Sequence, residues 1–234
     1  MAATRPRRLD IVAALRRGGE AVARDFAAVT SAGFALIVIP GIVTRSFFAG
    51  EELATLTQTL RAVLALLFVA LVSFGVVARL RGRRLLPHEF LREGLLAARP
   101  GLQSALIAGT AVMVALIVHL FARHGTAAGW ALDTLLLAGG LWAASVAMPL
   151  VPAAVAERLS PLAAIQRAAA LTEGNRDRIL ALAVGMIAAI APAALLPTAF
   201  GGETGVLVRA LCELFSWSLV ATVPAAVYAG LGEL

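Results

Sequence analysis

The chain has 234 residues, of which 60% are hydrophobic and only 15% are charged. A soluble domain has about 25% charged residues, so a chain this apolar cannot cover its core with a water-facing surface, and much of its apolar surface must face lipid. The formal net charge is +6, and every one of the 20 residues counted as Lys or Arg is arginine. These arginines lie between long apolar runs, which favours the anionic surface of a membrane over nucleic acid as their partner.

Six apolar stretches are each long enough to cross a hydrocarbon layer of about 30 Å, which takes about 20 residues of helix. Because a helix satisfies its own backbone polar groups inside lipid, the stretches predict an all-α, polytopic membrane protein with a single domain over residues 1–234. The predicted spans are Ala27–Phe48, Thr55–Ala78, Gly101–Phe121, Gly129–Val151, Ile179–Phe200 and Gly205–Leu231. Charges occur throughout the first 26 residues, so we expect no cleavable signal peptide there.

Arginine is distributed unevenly among the segments that connect these spans. Six arginines precede the first span, six lie between the second and third spans, and four lie between the fourth and fifth. The connections on the other side hold only Arg45 and Arg123. Since basic residues are retained on the cytoplasmic side of a membrane, we predict that both termini lie in the cytoplasm.

Each arginine-rich segment follows the same plan, in which a helix-start signal precedes a short basic amphipathic helix and then a span. The start signals include Asp10, Pro87 and Ser160, which are about 75 residues apart. The pentapeptide Val151–Val155 also recurs as Val223–Val227. The pattern predicts three pseudo-repeats, each an interfacial helix followed by a helical hairpin, although spans rich in Ala, Val and Leu also resemble one another by composition. The predicted units are residues 10–85, 86–159 and 160–234.

The three basic helices are predicted to lie at the membrane surface, with apolar residues toward the acyl chains and arginines toward the lipid phosphates. In the first helix, the predicted apolar face consists of Ile11, Leu15, Val22 and Phe26. The candidate contacts with anionic headgroups are Arg16, Arg17, Arg92, Arg167, Arg176 and Arg178. The alternative is that each segment is a solvated loop whose arginines only orient the spans.

Four charged residues lie inside the even-numbered spans, toward their non-cytoplasmic ends. They are Arg61, Asp133, Arg209 and Glu213. Charges are costly inside a membrane and mark functional or structural sites, and the spacing of Arg209 and Glu213 predicts an ion pair within one helix. We expect the cluster either to hold the hairpins together, with arginines that reach back to the interface, or to bind a lipid headgroup or line a pathway for a solute.

The sequence contains no pattern that indicates an enzyme. It has no glycine-rich phosphate loop, and its three histidines lack the spacing of metal ligands. The acidic pair Glu51 and Glu52 is predicted to lie in an external connection, without the paired histidines that an intramembrane metalloprotease needs. We therefore expect no catalytic residue, no cofactor, no metal and no nucleic-acid partner.

One segment, from Val155 to Ile179, matches a family motif. The matching residues are Glu157, Leu159, Ser160, Pro161, Ala164, Arg167, Leu171, Thr172, Gly174, Asn175, Arg176 and Arg178. On these residues the segment resembles the membrane domain of glycerophosphoryl diester phosphodiesterases and related bacterial inner-membrane proteins. Asp177 and Ala168 depart from the family's usual aromatic residue and serine, whereas Val223–Tyr228 is similar to the end of the family's sixth span.

The resemblance implies a six-span membrane domain and no activity. The family's catalytic domain, with its histidine pair and metal-binding acidic residues, has no counterpart in this sequence. Residues and resemblance together predict a non-catalytic protein of the bacterial inner membrane, a scaffold or accessory that contacts anionic phospholipid or a membrane-protein partner. The alternative is a transporter or channel-like protein that uses the polar cluster of the even-numbered spans.

Overall fold

The computed structural model describes residues 8–47, 51–121 and 126–232. Within these ranges the chain forms nine α-helices and no strand. The helices are α1 (Ile11–Arg24), α2 (Phe26–Gly33), α3 (Ile39–Phe47), α4 (Glu51–Leu80), α5 (Pro87–Phe121), α6 (Ala127–Glu157), α7 (Pro161–Thr172), α8 (Arg176–Leu195) and α9 (Gly202–Leu231). A π-helical turn, Phe34–Val38, joins α2 to α3, and a 3-10 turn, Leu196–Ala199, extends α8.

The structure has six helices that are long and apolar enough to span a membrane, as the sequence predicts. They are Phe26–Phe47, Leu53–Leu80, Pro87–Leu120, Gly129–Glu157, Arg176–Ala199 and Gly202–Leu231. Each contains most of one predicted span, and Phe48, where the first predicted span ends, lies outside the described residues. The chain is therefore an all-helical protein with the architecture of a multi-pass membrane protein.

The third span begins earlier than predicted because the second basic helix is continuous with it. α5 is a single helix of 35 residues with Pro100 in its interior. A proline removes one backbone hydrogen bond, which a membrane helix tolerates when neighbouring groups compensate. Next to it, Gly101 packs so closely on Val155 of α6 that an added Cβ would collide. The sequence predicts a separate interfacial helix here, whereas in the structure this segment is the beginning of the third span.

The buried core lies toward one end of the molecule, the end that carries the arginine-rich segments. There α4 is buried continuously from Phe68 to Ala78, and α6 and α9 bury most of Met148–Val155 and Val223–Tyr228. The three helices contact one another. At the opposite end, large apolar residues of α5 and α6 such as Leu120 and Leu135 are exposed. The helices therefore converge at the arginine-rich end and present apolar surface to lipid at the other.

Each basic helix packs on one of these three central helices. α1 contacts α9, the first turns of α5 contact α4, and α7 contacts α6. Small residues make the close approach possible, because Cβ atoms at Gly18 and Gly94 would lie 2.8 Å and 3.0 Å from side-chain atoms of the central helices, and Ala168 of α7 is fully buried. The packing faces are thus formed mainly by small side chains, and the buried Phe90, which lies against Gly75 of α4, is the large exception.

The packing face of α1 is separate from the apolar face that the sequence predicts to point toward the acyl chains. Its buried residues are Ala14, Gly18 and Ala21. Leu15 and Phe26, predicted for the apolar face, are exposed, and the remaining two predicted residues are only partly buried. Short side chains let the helix backbones approach closely inside a membrane, whereas long apolar side chains at the surface are left to face lipid.

The ends of α1 and α7 are fixed by side-chain and backbone hydrogen bonds. The Asp10 carboxylate accepts a 3.0 Å bond from the Ala13 N–H and so caps α1, as predicted. The buried Leu9 N–H donates to Asn175 Oδ1 at 2.7 Å, and Arg178 Nη1 donates to the Leu9 carbonyl at 2.6 Å. The segment before α1 is therefore tied to Asn175, which precedes α8, and to Arg178 in the first turn of α8.

Candidate functional site

The end opposite the arginine-rich segments contains a charged cluster built on α3, α4 and α9. Arg61 Nη2 donates to Glu213 Oε2 at 2.7 Å, and Arg45 Nη2 donates to the other oxygen of the same carboxylate. The side chains of Arg61 and Glu213 are each only 27% exposed. Gly41 lies beside the cluster, where an added Cβ would make ordinary van der Waals contact with Arg45 Nη1 at 3.5 Å and with Glu213 Oε2 at 3.6 Å. One carboxylate thus links three helices.

Arg209 lies one turn before Glu213 but does not form the ion pair that the sequence predicts. The carboxylate is already shared by Arg45 and Arg61. Within the part of the chain that the structure describes, Arg209 has no carboxylate partner, and its side chain is exposed. The positive charges of Arg61 and Arg209 both act on Arg45. The cluster therefore combines three positive charges with one negative charge.

Asp133, the fourth predicted member, makes a different contact. Its carboxylate lies 2.9 Å from Nδ1 of His119, across the pair of helices formed by α5 and α6. The structure thus brings together Arg61 and Glu213, as predicted, and places Asp133 in a second polar pair. Sequence reasoning missed Arg45, which it assigned to a connection, and His119, for which it assigned no role.

Five of the six candidate headgroup contacts are exposed at the arginine-rich end, and three of these five have at most a loose surface pair among the described residues. Arg16 is 75% exposed, with Glu20 at 3.9 Å, a loose surface pair. Arg17 and Arg92 are exposed, and neither has an ion-pair partner among residues 8–47, 51–121 and 126–232. These three guanidinium groups are available to a lipid phosphate.

The other three candidate arginines are engaged within the protein. Arg167 Nε donates to Glu157 Oε1 at 3.0 Å, and Arg178 bonds the Leu9 carbonyl. The Arg176 guanidinium lies over the Trp142 ring, 5.9 Å from its centroid, a cation–π contact. Each of these arginines thus makes a contact within the protein, and the headgroup contact that the sequence predicts for them stays a prediction.

A polar network at this end joins residues that we had not singled out. The Tyr228 hydroxyl donates to Glu157 Oε1 at 2.7 Å and accepts from Arg81 Nη2 at 3.1 Å. Separately, Arg79 and Asp25 form an ion pair of 3.0 Å whose side chains are largely buried. These bonds join α9 and α6 to the turn after α4, and α4 to the junction of α1 and α2, so the network holds the converging helices together.

The described residues lack the arrangement that metal chemistry requires. In residues 8–47, 51–121 and 126–232, no three side chains of His, Cys, Asp or Glu are grouped as metal ligands would be. A groove of about 790 Å³ runs between α5 and α6 and is lined mainly by aliphatic residues, with His119 and Asp133 among its few polar ones. In a bilayer, such a groove faces the acyl chains.

The fold and the charged ends define a multi-pass helical membrane protein with one strongly basic end. No family model, no curated protein and no solved structure matches the chain. The resemblance to the membrane domain of glycerophosphoryl diester phosphodiesterases therefore stays a prediction, and the function has to be inferred from the geometry.

Proposed function

We propose that the protein is a non-catalytic membrane protein whose arginine-rich end binds anionic lipid headgroups, and that it serves there as a scaffold or accessory for a membrane partner. The observation that carries the proposal is the outer face of the three basic helices. On each helix, a large exposed apolar residue lies close in sequence to an arginine. These apolar residues are Val12 (76% exposed), Leu96 (72% exposed) and Leu162 (67% exposed).

This combination suits the boundary between acyl chains and headgroups. A helix in that layer buries apolar side chains among the lipid tails while arginines extend toward the phosphates. Arg16 and Arg17 follow Val12 by one turn, and Arg92 lies one turn before Leu96. The opposite faces of the same helices pack on α9 and α4, so the bundle would hold the arginines at a fixed height relative to the phosphates.

The proposal includes an orientation and a repeat. Retention of arginine in the cytoplasm supports an inner-membrane protein whose basic end and termini face the cytoplasm.

The repeat is supported by the spacing of small residues on the packing faces of the basic helices. These residues are Gly18, Gly94 and Ala168, which are separated by 76 and 74 residues. In the three-unit plan, each basic helix contacts the second span of the preceding unit, with α1 on α9 completing the cycle.

A lipid-selection experiment tests the headgroup contact. We expect the double variant R17Q/R92Q, in nanodiscs that mix phosphatidylglycerol with phosphatidylcholine, to retain less phosphatidylglycerol around the protein, because each arginine near an anionic surface contributes about 1 kcal/mol. Native mass spectrometry of the retained lipids measures the enrichment. R17K/R92K, which keeps both positive charges at the same positions, is the control and should leave the enrichment unchanged. Equal enrichment in R17Q/R92Q and the wild type would contradict the proposal.

The transporter or channel-like alternative depends on the charged cluster of Arg45, Arg61, Arg209 and Glu213. These four charges lie within membrane-spanning helices, which favours a function for them. Both ion pairs of Glu213, however, tie helices together, and Asp133 bonds His119 instead. A flux assay in proteoliposomes separates the readings. If E213Q folds with an unchanged melting temperature but abolishes solute or ion flux, the result supports a transport function. A lowered melting temperature without loss of flux supports a structural role.

A further inference from the structure

A cavity of about 510 Å³ lies at the arginine-rich end, between α5 and the turn that joins α6 to α7. Its polar walls are the side chains of Arg99, Gln103, Arg158 and Ser160. Leu96 and Leu159 are among its apolar walls. The cavity is an open groove between one side of α5 and the turn, its four polar side chains are exposed, and it shares Leu96 with the outer face of α5.

Both arginines of the cavity lack a partner among the residues that the structure describes. Arg79 and Arg167 nearby are each paired with a carboxylate at 3.0 Å. Across the described ranges, by contrast, neither Arg99 nor Arg158 has an ion pair or a side-chain hydrogen bond, and no acidic residue lines the cavity. Two guanidinium groups, a hydroxyl and an amide thus face one space, which is suited to an anion.

The backbone around the cavity adds to this positive character. Arg158 ends α6 in the left-handed conformation, with φ of 52°, and two residues later Ser160 begins α7. The Ser160 side chain makes no capping hydrogen bond, so the first-turn N–H groups of α7 keep their donor capacity next to the arginines. The N-terminus of a helix also carries partial positive charge, which favours an anion there.

We propose that this cavity binds a phosphate group, held chiefly by Arg99 and Arg158 and supported by Gln103 and Ser160. Arginine is suited to this ligand because its planar guanidinium can donate two parallel hydrogen bonds to phosphate oxygens. The phosphate can belong to an anionic phospholipid or to a soluble compound. Leu96 and Leu159 beside the arginines favour the lipid, since they offer apolar contact to its glycerol and acyl groups. The lipid source rests on the proposed function, whereas phosphate binding itself does not.

Calorimetric titration of the full chain in a nonionic detergent tests the site. The probes are short-chain phosphatidylglycerol, short-chain phosphatidylcholine and inorganic phosphate. We expect saturable binding of phosphatidylglycerol at a single site, and an affinity at least about tenfold weaker in R99Q/R158N, since hydrogen bonds to charged groups contribute about 1.5–3 kcal/mol each. Asparagine is chosen for Arg158 because it tolerates the left-handed conformation. R24Q/R84Q removes the same charge from exposed positions outside the cavity and should bind as the wild type does.

The outcomes separate the ligand sources and the two proposals. Saturable binding of phosphatidylglycerol without binding of inorganic phosphate supports a lipid site, and binding of inorganic phosphate supports a site for a soluble phosphate. Unchanged affinity in R99Q/R158N, an equal loss in R24Q/R84Q, or no saturable binding of any probe overturns the site. R99Q alone, which leaves the Arg158 turn intact, replaces the double variant if that variant has a lowered melting temperature. Failure of the lipid-selection experiment on R17Q/R92Q would remove the proposed function without affecting the result for inorganic phosphate.

Discussion

The two ends of the bundle use the same residue types in opposite ways. At the arginine-rich end, Gly75 and Gly101 sit under Phe90 and Val155 so tightly that a Cβ would collide. On α6, farther from the arginine-rich end, Gly139 has nothing within 4 Å of its Cβ position. At the arginine-rich end, a helix packs against each of these glycines. At the other end no helix in the described part of the chain packs against Gly139, and the missing side chain leaves a groove that faces lipid.

Charge is also used differently at the two ends. At the arginine-rich end, close packing holds the helices together and many arginines remain exposed. At the opposite end, where helix contacts are fewer, the Glu213 carboxylate joins α9 to α3 and α4 through two ion pairs. Packing should therefore dominate stability at the first end and ionic contacts at the second.

The largest expected effect comes from enlarging a glycine at the converging end. We expect G75L to destabilise the protein by about 3 kcal/mol, because the Phe90 ring occupies the space that the new side chain would need. G140L places the same side chain on α6, where nothing lies within 4 Å, and should leave the melting temperature in detergent nearly unchanged. Similar melting temperatures for the two variants would contradict the contrast between the ends.

A smaller effect is expected from removing the shared carboxylate. E213Q leaves Arg45 and Arg61 without their negative partner, and we expect a loss of about 2 kcal/mol, since an unsatisfied charged donor costs more than a neutral one. E203Q, an exposed position in the first turn of α9, is the matched control and should cost less than about 0.5 kcal/mol. Thermal unfolding in the same detergent compares them. A cost for E213Q no larger than that for E203Q would show that the second end is not held by ion pairs.

Features with a local signal could be predicted from the sequence. The six spans follow from long apolar runs, and the cap at Asp10 follows from its place at the start of α1. Arg61 and Glu213 could be singled out because charges are rare inside spans. None of these predictions requires knowledge of which helix lies beside which.

Features that depend on the relative rotation of helices could not be predicted. Arg45 and Glu213 are 168 residues apart, and Leu9 and Asn175 are 166 apart. A span that is apolar on all sides gives no periodic signal for the face that meets its neighbours. For the same reason, the long apolar residues of α1, including Leu15, indicate the side that faces lipid but not the side with Ala14 and Gly18 that packs on α9.

The smallest effect is expected at the Tyr228 hydroxyl. Y228F keeps the ring in the core but removes the bonds to Glu157 and Arg81. We expect a loss of about 1 kcal/mol, the net contribution of such hydrogen bonds. R81Q and the double variant R81Q/Y228F complete a double-mutant cycle, and the melting temperatures of all four proteins give the coupling between the two side chains. If packing dominates this end, Y228F costs less than E213Q. A larger cost for Y228F would mean that the converging end depends on its polar network as much as on the close contacts around Gly75.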